Sequence, residues 1–237
     1  MIKVIIAAAG KGTRSKLSYP KTLYKIKGTP ILIRLLKATK HIDSKPIIIA
    51  NESGKKKIRK VVEDFGFSSH ILIQKNQLGM GDAVLQSSRY SDIKNTQNSL
   101  LLWGDLPFIK PRTLNKLIDL HVQDKSDFSF PTLISSDPYT LVKRDKDQRV
   151  VNLIELKNSP SKIPTKGERD IGVFLYKTGL ILDLLEGIKK KEGRMSEIGF
   201  LNLVRILFKR GSNVNGYKIA RKREALSFNS KNDLLNF

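Results

Sequence analysis

The sequence predicts an α/β fold built on a doubly wound, mostly parallel sheet, and three observations carry that prediction. Continuous apolar runs at 4–8, 46–50, 71–73 and 100–103 suit strands buried on both faces. Helix-length segments with 3.6-residue periodicity lie between them, an alternation that winds a parallel sheet with helices on both sides. Finally, the first run passes straight into a small, glycine-bearing loop, the usual ligand-facing crest of such a sheet.

Taken in order, the strand at 4–8 is followed by that loop, and Thr29 with Pro30 supplies an N-cap and first turn for a helix through about Lys40. After the strand at 46–50, a helix over 55–65 sets Ile58, Val61, Val62 and Phe65 on one stripe. Helices over 81–90 and 111–122 flank the strand at 100–103, the second with Leu114, Leu117, Ile118 and Val122 aligned. Beyond Asp127 the rhythm changes to shorter strands at 128–133, 139–144, 150–156 and 173–176. Two more helices at 179–190 and 197–209 precede a last strand at 215–220, while 157–169 reads as a polar, proline-containing loop. No internal repeat and no linker interrupts this order. The expectation is one domain over 1–237, with a first half running to about 126 and a more mixed half after it.

Composition narrows the chemistry. Lys and Arg number 44 against 22 Asp and Glu, a formal net charge of +22 that suits phosphates, nucleic acid or an acidic surface. The charges are spread along the chain, so the pooled value names no ligand, and no basic motif interleaved with aromatics points to nucleic acid. The absence of Cys excludes disulfides, thiolate metal sites and cysteine nucleophiles, and His41, His70 and His121 are too far apart in sequence for a His-rich zinc site. The apolar run before Gly10 is too short for a signal peptide or a membrane span, so a cytoplasmic protein without membrane insertion is expected.

Which phosphate loop follows the first strand is settled in part by spacing. A P-loop needs four residues between its glycines, and a dinucleotide fingerprint needs a third glycine where Ser15 stands, so Gly10 and Gly12 fit neither. There remains a loop whose backbone N–H groups from Ala9 to Gly12 can meet phosphate oxygens, with Arg14 and Lys21 adding charge. In "SLLLWGDLPF" an apolar strand ends on Gly104 and Asp105, and a strand-end carboxylate beside such a loop is a natural Mg²⁺ ligand. In "QKNQLGMGDAV" the chain again leaves a strand through glycines, and the Gln74 amide can read a base edge.

Together "AAAGKGTR", "YPK", "QKNQLGMGDA", "WGDLPF", "LIELK", "DIGVF" and "SFNSKNDL" resemble the sugar-phosphate nucleotidyltransferase family, and within it the uridyltransferase branch. The resemblance implies transfer of a nucleoside monophosphate from an NTP, UTP being expected, to a sugar 1-phosphate, with Mg²⁺ as cofactor. It implies that Ala7, Ala8, Ala9 and Gly10 face the nucleotide, that Arg14 and Lys21 hold its phosphates, and that Gln74, Gly79 and Met80 surround the base. Trp103 and Gly104 would flank the nucleoside, Asp105 and Asn229 would hold the metal, and Glu155 would meet the sugar. Thr140 and Asp170 fall at further sugar contacts, where the family has Gly and Asn; Met80 stands where it has Thr, so the sugar stays open. A cytidylyltransferase of the same fold and a non-catalytic nucleotide-binding module stay open as well.

Overall fold

The computed structural model describes residues 1–10, 17–136, 138–156, 166–192, 197, 199–228 and 233. In chain order the first half contains β1 (Ile2–Ala7), the short antiparallel pair β2 (Lys25–Ile26) and β3 (Thr29–Pro30), α1 (Ile31–Thr39), β4 (Ile47–Ala50) and α2 (Glu52–Asp64). It continues with β5 (His70–Ile73), α3 (Gly79–Leu85), β6 (Asn98–Trp103) and α4 (Pro111–Gln123). The second half adds β7 (Phe128–Ser135), β8 (Thr140–Arg144), β9 (Val150–Glu155), β10 (Gly167–Asp170), β11 (Val173–Lys177), α5 (Thr178–Glu192), α6 (Leu203–Lys209) and β12 (Val214–Tyr217).

One eight-stranded sheet runs β10-β7-β11-β6-β1-β4-β5, with β12 also paired to β7. β6, β1, β4 and β5 are mutually parallel; β11 and β10 enter antiparallel, which makes the sheet mixed at that side. Strand alternation divides the core in two. Val4, Ile6, Ile48, Leu100, Leu102 and Val173 pack with residues of α1, α2 and α4, while Ile5, Ile47, Ile49, Leu101, Phe174 and Tyr176 pack with residues of α3, α5 and α6. Burial on both faces is why β1, β4 and β6 read as unbroken apolar runs, whereas β5, at the edge of the sheet, is only half-buried, contrary to the expectation for 71–73. Among the described residues no helix is long and apolar enough to cross a membrane.

Several boundaries differ from the sequence reading, each for a local reason. Pro30, not Thr29, is the N-cap residue of α1; its hydrocarbon ring has no polar atom to cap with, and Thr29 pairs with β2 instead. α3 begins at Gly79 and yields to a 3₁₀ turn over Gln86–Arg89, where the Ser87 and Ser88 hydroxyls donate to the Val84 and Leu85 carbonyls at 2.7 Å each. The helix expected over 197–209 is a 3₁₀ turn, Phe200–Asn202, running into α6. β12 stops opposite Pro131, which has no N–H to give.

The larger correction is β10, whose first three residues lie inside the stretch expected to be a loop; residues 157–165 of that stretch lie outside the described residues. Its charged residues hid it. Glu168 and Arg169 are buried because Arg144 forms a fork on the Glu168 carboxylate at 2.7 and 2.9 Å, and the Arg169 guanidinium lies 3.9 Å from the centre of the Tyr139 ring.

His121 on α4 ties helix to sheet, its Nδ1 lying 2.8 Å from the Ser129 hydroxyl on β7. Burial, aided by the Lys177 ammonium, pushes its imidazole down to about 4 from an ordinary 6.5. The folded state therefore resists a proton that the unfolded chain accepts. Stability from this group is intact above pH 6.5 and is lost as the pH falls toward 4. His121→Gln is expected to flatten the acid limb of a urea-midpoint curve across that window, removing a slope of up to about 1.4 kcal/mol per pH unit. Equal slopes in the two proteins would show that other groups set the acid limb.

Candidate active site

Parallel neighbours end on one edge of the sheet, so the loops after β1, β4, β5 and β6 meet there although nearly a hundred residues separate the first from the last. The turn after β1 is tied to both flanking strands: Ala8 N donates to Ile49 O at 2.8 Å, and Gly104 N donates to Ala7 O at 2.9 Å. A side chain at Gly104 would set its Cβ 2.6 Å from the Ala7 carbonyl oxygen, so this close approach requires glycine. Asn51 and Gln77 donate to Ala9 O at 3.2 and 2.6 Å and fix the next step of the loop.

These loops surround a cavity of about 280 Å³. Ala7, Ala8, Ala9 and Gly10 form one wall, Gln74, Gly79 and Met80 a second, and Trp103, Gly104 and Asp105 a third, with Lys21 reaching in from the segment after the loop. The sequence reading thus assembles in space at these positions, while Gly12, Arg14 and Asn229 lie outside the described residues.

Asp105 is 8 % exposed, and its two oxygens differ. Oδ2 accepts from Lys21 Nζ at 2.5 Å, whereas the buried Oδ1 has no hydrogen-bond partner among the described residues. Thr22 Oγ1 and Trp103 Nε1 are buried and unpartnered too, and both residues line the same cavity. Polar atoms left unsatisfied in a protein interior are costly, so their convergence on one cavity marks a place built for a polar ligand. A hard carboxylate oxygen without a partner suits a divalent cation. Phe228 N donates to the Asp105 backbone carbonyl at 2.9 Å, which ties Phe228 to the residue that bears the carboxylate. Among the described residues no cluster of three or more His, Asp or Glu forms a metal site.

A second cavity of about 590 Å³ adjoins the first and shares Met80, Trp103 and Glu197 with it. Glu155 lines it with Asn152, Asn202 and Arg205, a set of donors and acceptors suited to hydroxyl groups. Thr140 and Asp170 line neither cavity. Both are fully buried, and the Thr140 hydroxyl donates to Asp170 Oδ1 at 2.5 Å. Asp170 Oδ2 accepts from Gly172 N at 2.6 Å and from the Tyr139 hydroxyl at 3.4 Å. Their reach is indirect: Gly172, at φ 74°, accepts from Trp103 N at 2.9 Å and lies flat against the Trp103 ring. Thr22, Gln77, Glu197, Asn152 and Arg205 were not legible as site residues, although Gln77 sits inside a stretch singled out for its glycines.

A turn of small residues, a wall bearing an amide, and a carboxylate–lysine pair lie on one edge of an α/β sheet, the edge where such folds take their ligands. The chain belongs to the MobA-like NTP transferase domain family, whose model matches residues 4–159. It is 27% identical over 234 residues to the bifunctional protein GlmU of Caldanaerobacter subterraneus subsp. tengcongensis, and 29% identical over 233 residues to that of Wigglesworthia glossinidia brevipalpis. In each case 98% of this chain aligns with 50% of the relative, so the chain spans about half the length of the curated relatives it matches. The fold is also that of a solved Bacillus anthracis protein described as a glucose-1-phosphate thymidylyltransferase, with TM-score 0.79 and 16% identity over 100% of this chain and 93% of that one. The inositol-1-phosphate CTP transferase of T. maritima superposes with TM-score 0.75 and 17% identity over 98% and 90% of the two chains.

Proposed function

We propose that this protein transfers a nucleoside monophosphate from UTP to a sugar 1-phosphate and releases pyrophosphate. The observation that carries the reading is the Asp105–Lys21 pair with its unpartnered Oδ1, set between the Ala7–Gly10 turn and the Gln74 wall. The nucleotide occupies the first cavity, with its base against Gln74, Gly79 and Met80 and its phosphates toward Gly10, Gly12, Arg14 and Lys21. The sugar occupies the second, near Glu155. Residues 1–237 act as one unit in this reading, in the cytoplasm, and Asp105 with Asn229 holds Mg²⁺.

Both substrates are anions, so the enzyme's task is alignment and charge neutralisation. A phosphate oxygen of the sugar phosphate attacks the α-phosphorus, and the bond from that phosphorus to the oxygen bridging to the β-phosphate breaks, its electron pair leaving with pyrophosphate. Lys21 turns from Asp105 Oδ2 to the phosphate charge, and Arg14 grips phosphate oxygens as a planar fork. Trp103, shared by both cavities, keeps the two substrates in line and excludes water between them. Mg²⁺, when bound, supplies Lewis-acid neutralisation of the phosphate oxygens.

A pyrophosphate-release screen of UTP, CTP, dTTP and ATP against hexose and N-acetylhexosamine 1-phosphates, with Mg²⁺ and with chelator, tests this. Mg²⁺-dependent release with UTP is the expected result. Nucleotide binding without release across the whole panel would make the chain a binding module. The T. maritima neighbour acts on an inositol phosphate with CTP, so inositol 1-phosphate belongs in the panel.

A further inference from the structure

Two side-chain amides among the described residues line this cavity: Gln77 is turned to Ala9 O, and Gln74 stands on the wall assigned to the base in an orientation that is not free. Its Nε2 donates to Gly79 O at 3.0 Å and to Asp82 Oδ2 at 2.9 Å, so both N–H groups are spent inside the protein. Turning the amide over would set its oxygen against a carbonyl and a carboxylate, losing two hydrogen bonds and opposing lone pairs. Gln74 Oε1 makes no hydrogen bond among the described residues, and the residue lines the cavity.

Asp82 is itself held. It is 2 % exposed, and its other oxygen, Oδ1, accepts from Lys189 Nζ on α5 at 2.8 Å and from Gln86 Nε2 at 3.2 Å. Neither Asp82 nor Lys189 lines the cavity.

We propose that Asp82, braced by Lys189, is a specificity-determining positioning residue that fixes Gln74 with only its carbonyl oxygen toward the base, so that the site selects a base presenting an N–H there. Resting on the reading of the first cavity as the nucleotide site, this deepens it to uracil over cytosine. Uracil carries a hydrogen on N3, whereas N3 of cytosine is an acceptor and would face the Gln74 oxygen lone pair to lone pair. Cytosine reaches the same oxygen only by sliding to present its 4-amino group.

The chemistry of Asp82→Asn makes a directional test. Lys189 and Gln86 both donate toward Oδ1, so the asparagine places its oxygen there and its NH₂ toward Gln74. Gln74 then gains by turning its own oxygen to that NH₂, against the loss of its bond to Gly79 O, and once turned it presents an N–H pair to the base, which suits cytosine N3. Equilibrium binding of UTP and of CTP to the full chain, measured by calorimetry without sugar phosphate, reads this directly. Wild type is expected to bind UTP at least about tenfold more tightly than CTP, and Asp82→Asn to move the ratio of the two Kd values about tenfold or more toward CTP. A merely structural Asp82 would weaken both nucleotides alike and leave the ratio fixed. Lys189→Met, altered far from the base, carries the test if Asp82→Asn fails to fold, with a fall of about two- to threefold in the ratio expected. If folded wild type binds neither nucleotide, the nucleotide reading itself falls. If wild type favours UTP and the ratio is unchanged in the folded variants, or wild type favours CTP, the Asp82 lock is overturned and the nucleotide reading stands.

Discussion

Asp105→Ala is expected to lower kcat by about 10³-fold or more while leaving the melting temperature within a few degrees of wild type. The catalytic half of that expectation comes from charge. In the proposed reaction two phosphate groups must approach one another, and the buried carboxylate oxygen without a partner among the described residues, Asp105 Oδ1, is the one offered to a divalent cation. Losing it removes roughly 4 kcal/mol of stabilisation, an ordinary share for a metal-holding group at a transferred phosphate. The stability half comes from the same oxygen. An unpartnered buried acceptor contributes nothing favourable to the fold, so deleting it removes a desolvation cost that offsets the lost pairing with Lys21. The backbone contact that matters locally, Phe228 N to Asp105 O, survives the substitution. Pyrophosphate release and a thermal melt on the same preparation decide the matter. Full activity in a destabilised variant would turn Asp105 into a structural residue and remove the metal from the proposed mechanism.

How much of this was legible beforehand depends on what each feature is made of. The central strands were readable because burial on both faces forces unbroken apolar runs such as "VIIA" and "SLLLW". The first cavity was readable for a topological reason: residues just past the carboxyl ends of parallel neighbours converge, so Gly10, Gln74 and Asp105 could be joined without a distance in hand. β10 was not, because its Glu168 and Arg169 are buried by pairing with Arg144 and Tyr139, partners far away in sequence that periodicity cannot report. Arg205 and Asn152 were missed for a related reason. They come from α6 and β9, ordinary amphipathic elements whose polar residues reach the second cavity only through how the halves pack. Asp82 was not singled out at all: it stands in the first turn of α3, and its hold on Gln74 depends on an amide orientation that only the structure supplies.

The two departures at Thr140 and Asp170 were legible as departures but not as a pair. They are in contact, 2.5 Å apart in a buried site, which turns an expectation about sugar contacts into one about stability. Asp170→Ala is expected to destabilise the protein by about 3 kcal/mol, because Gly172 N–H and the Thr140 and Tyr139 hydroxyls are left with no acceptor in place of three hydrogen bonds. For a chain of this length that is a fall in Tm of about 6–12 °C. Asp170→Asn keeps an oxygen for Gly172 and offers an NH₂ to Thr140, whose hydroxyl can accept instead of donate, so its cost at low pH is expected to stay below about 1 kcal/mol. The two substitutions also part company with pH. Burial pushes the Asp170 carboxyl above its ordinary 3.8, despite the opposing hydrogen bonds from Thr140 and Gly172 and the charge of Arg169. Below that ordinary value the group is protonated in both states, so there is no penalty. As the pH rises through it the unfolded chain ionises first, and wild type loses stability until the folded group ionises too. An asparagine has no such loss, so Asp170→Asn should gain on wild type as the pH rises above 3.8 in urea-midpoint measurements, while Asp170→Ala stays well below both at each pH. The effect also reaches the site: Gly172 is the backbone against which Trp103 rests, and loosening it in Asp170→Ala should raise KM for both substrates more than it lowers kcat. An Asp170→Ala variant within about 0.5 kcal/mol of wild type would mean that the buried carboxylate does not hold this corner, and that Trp103 is fixed by its packing on Tyr139 and Phe174 alone.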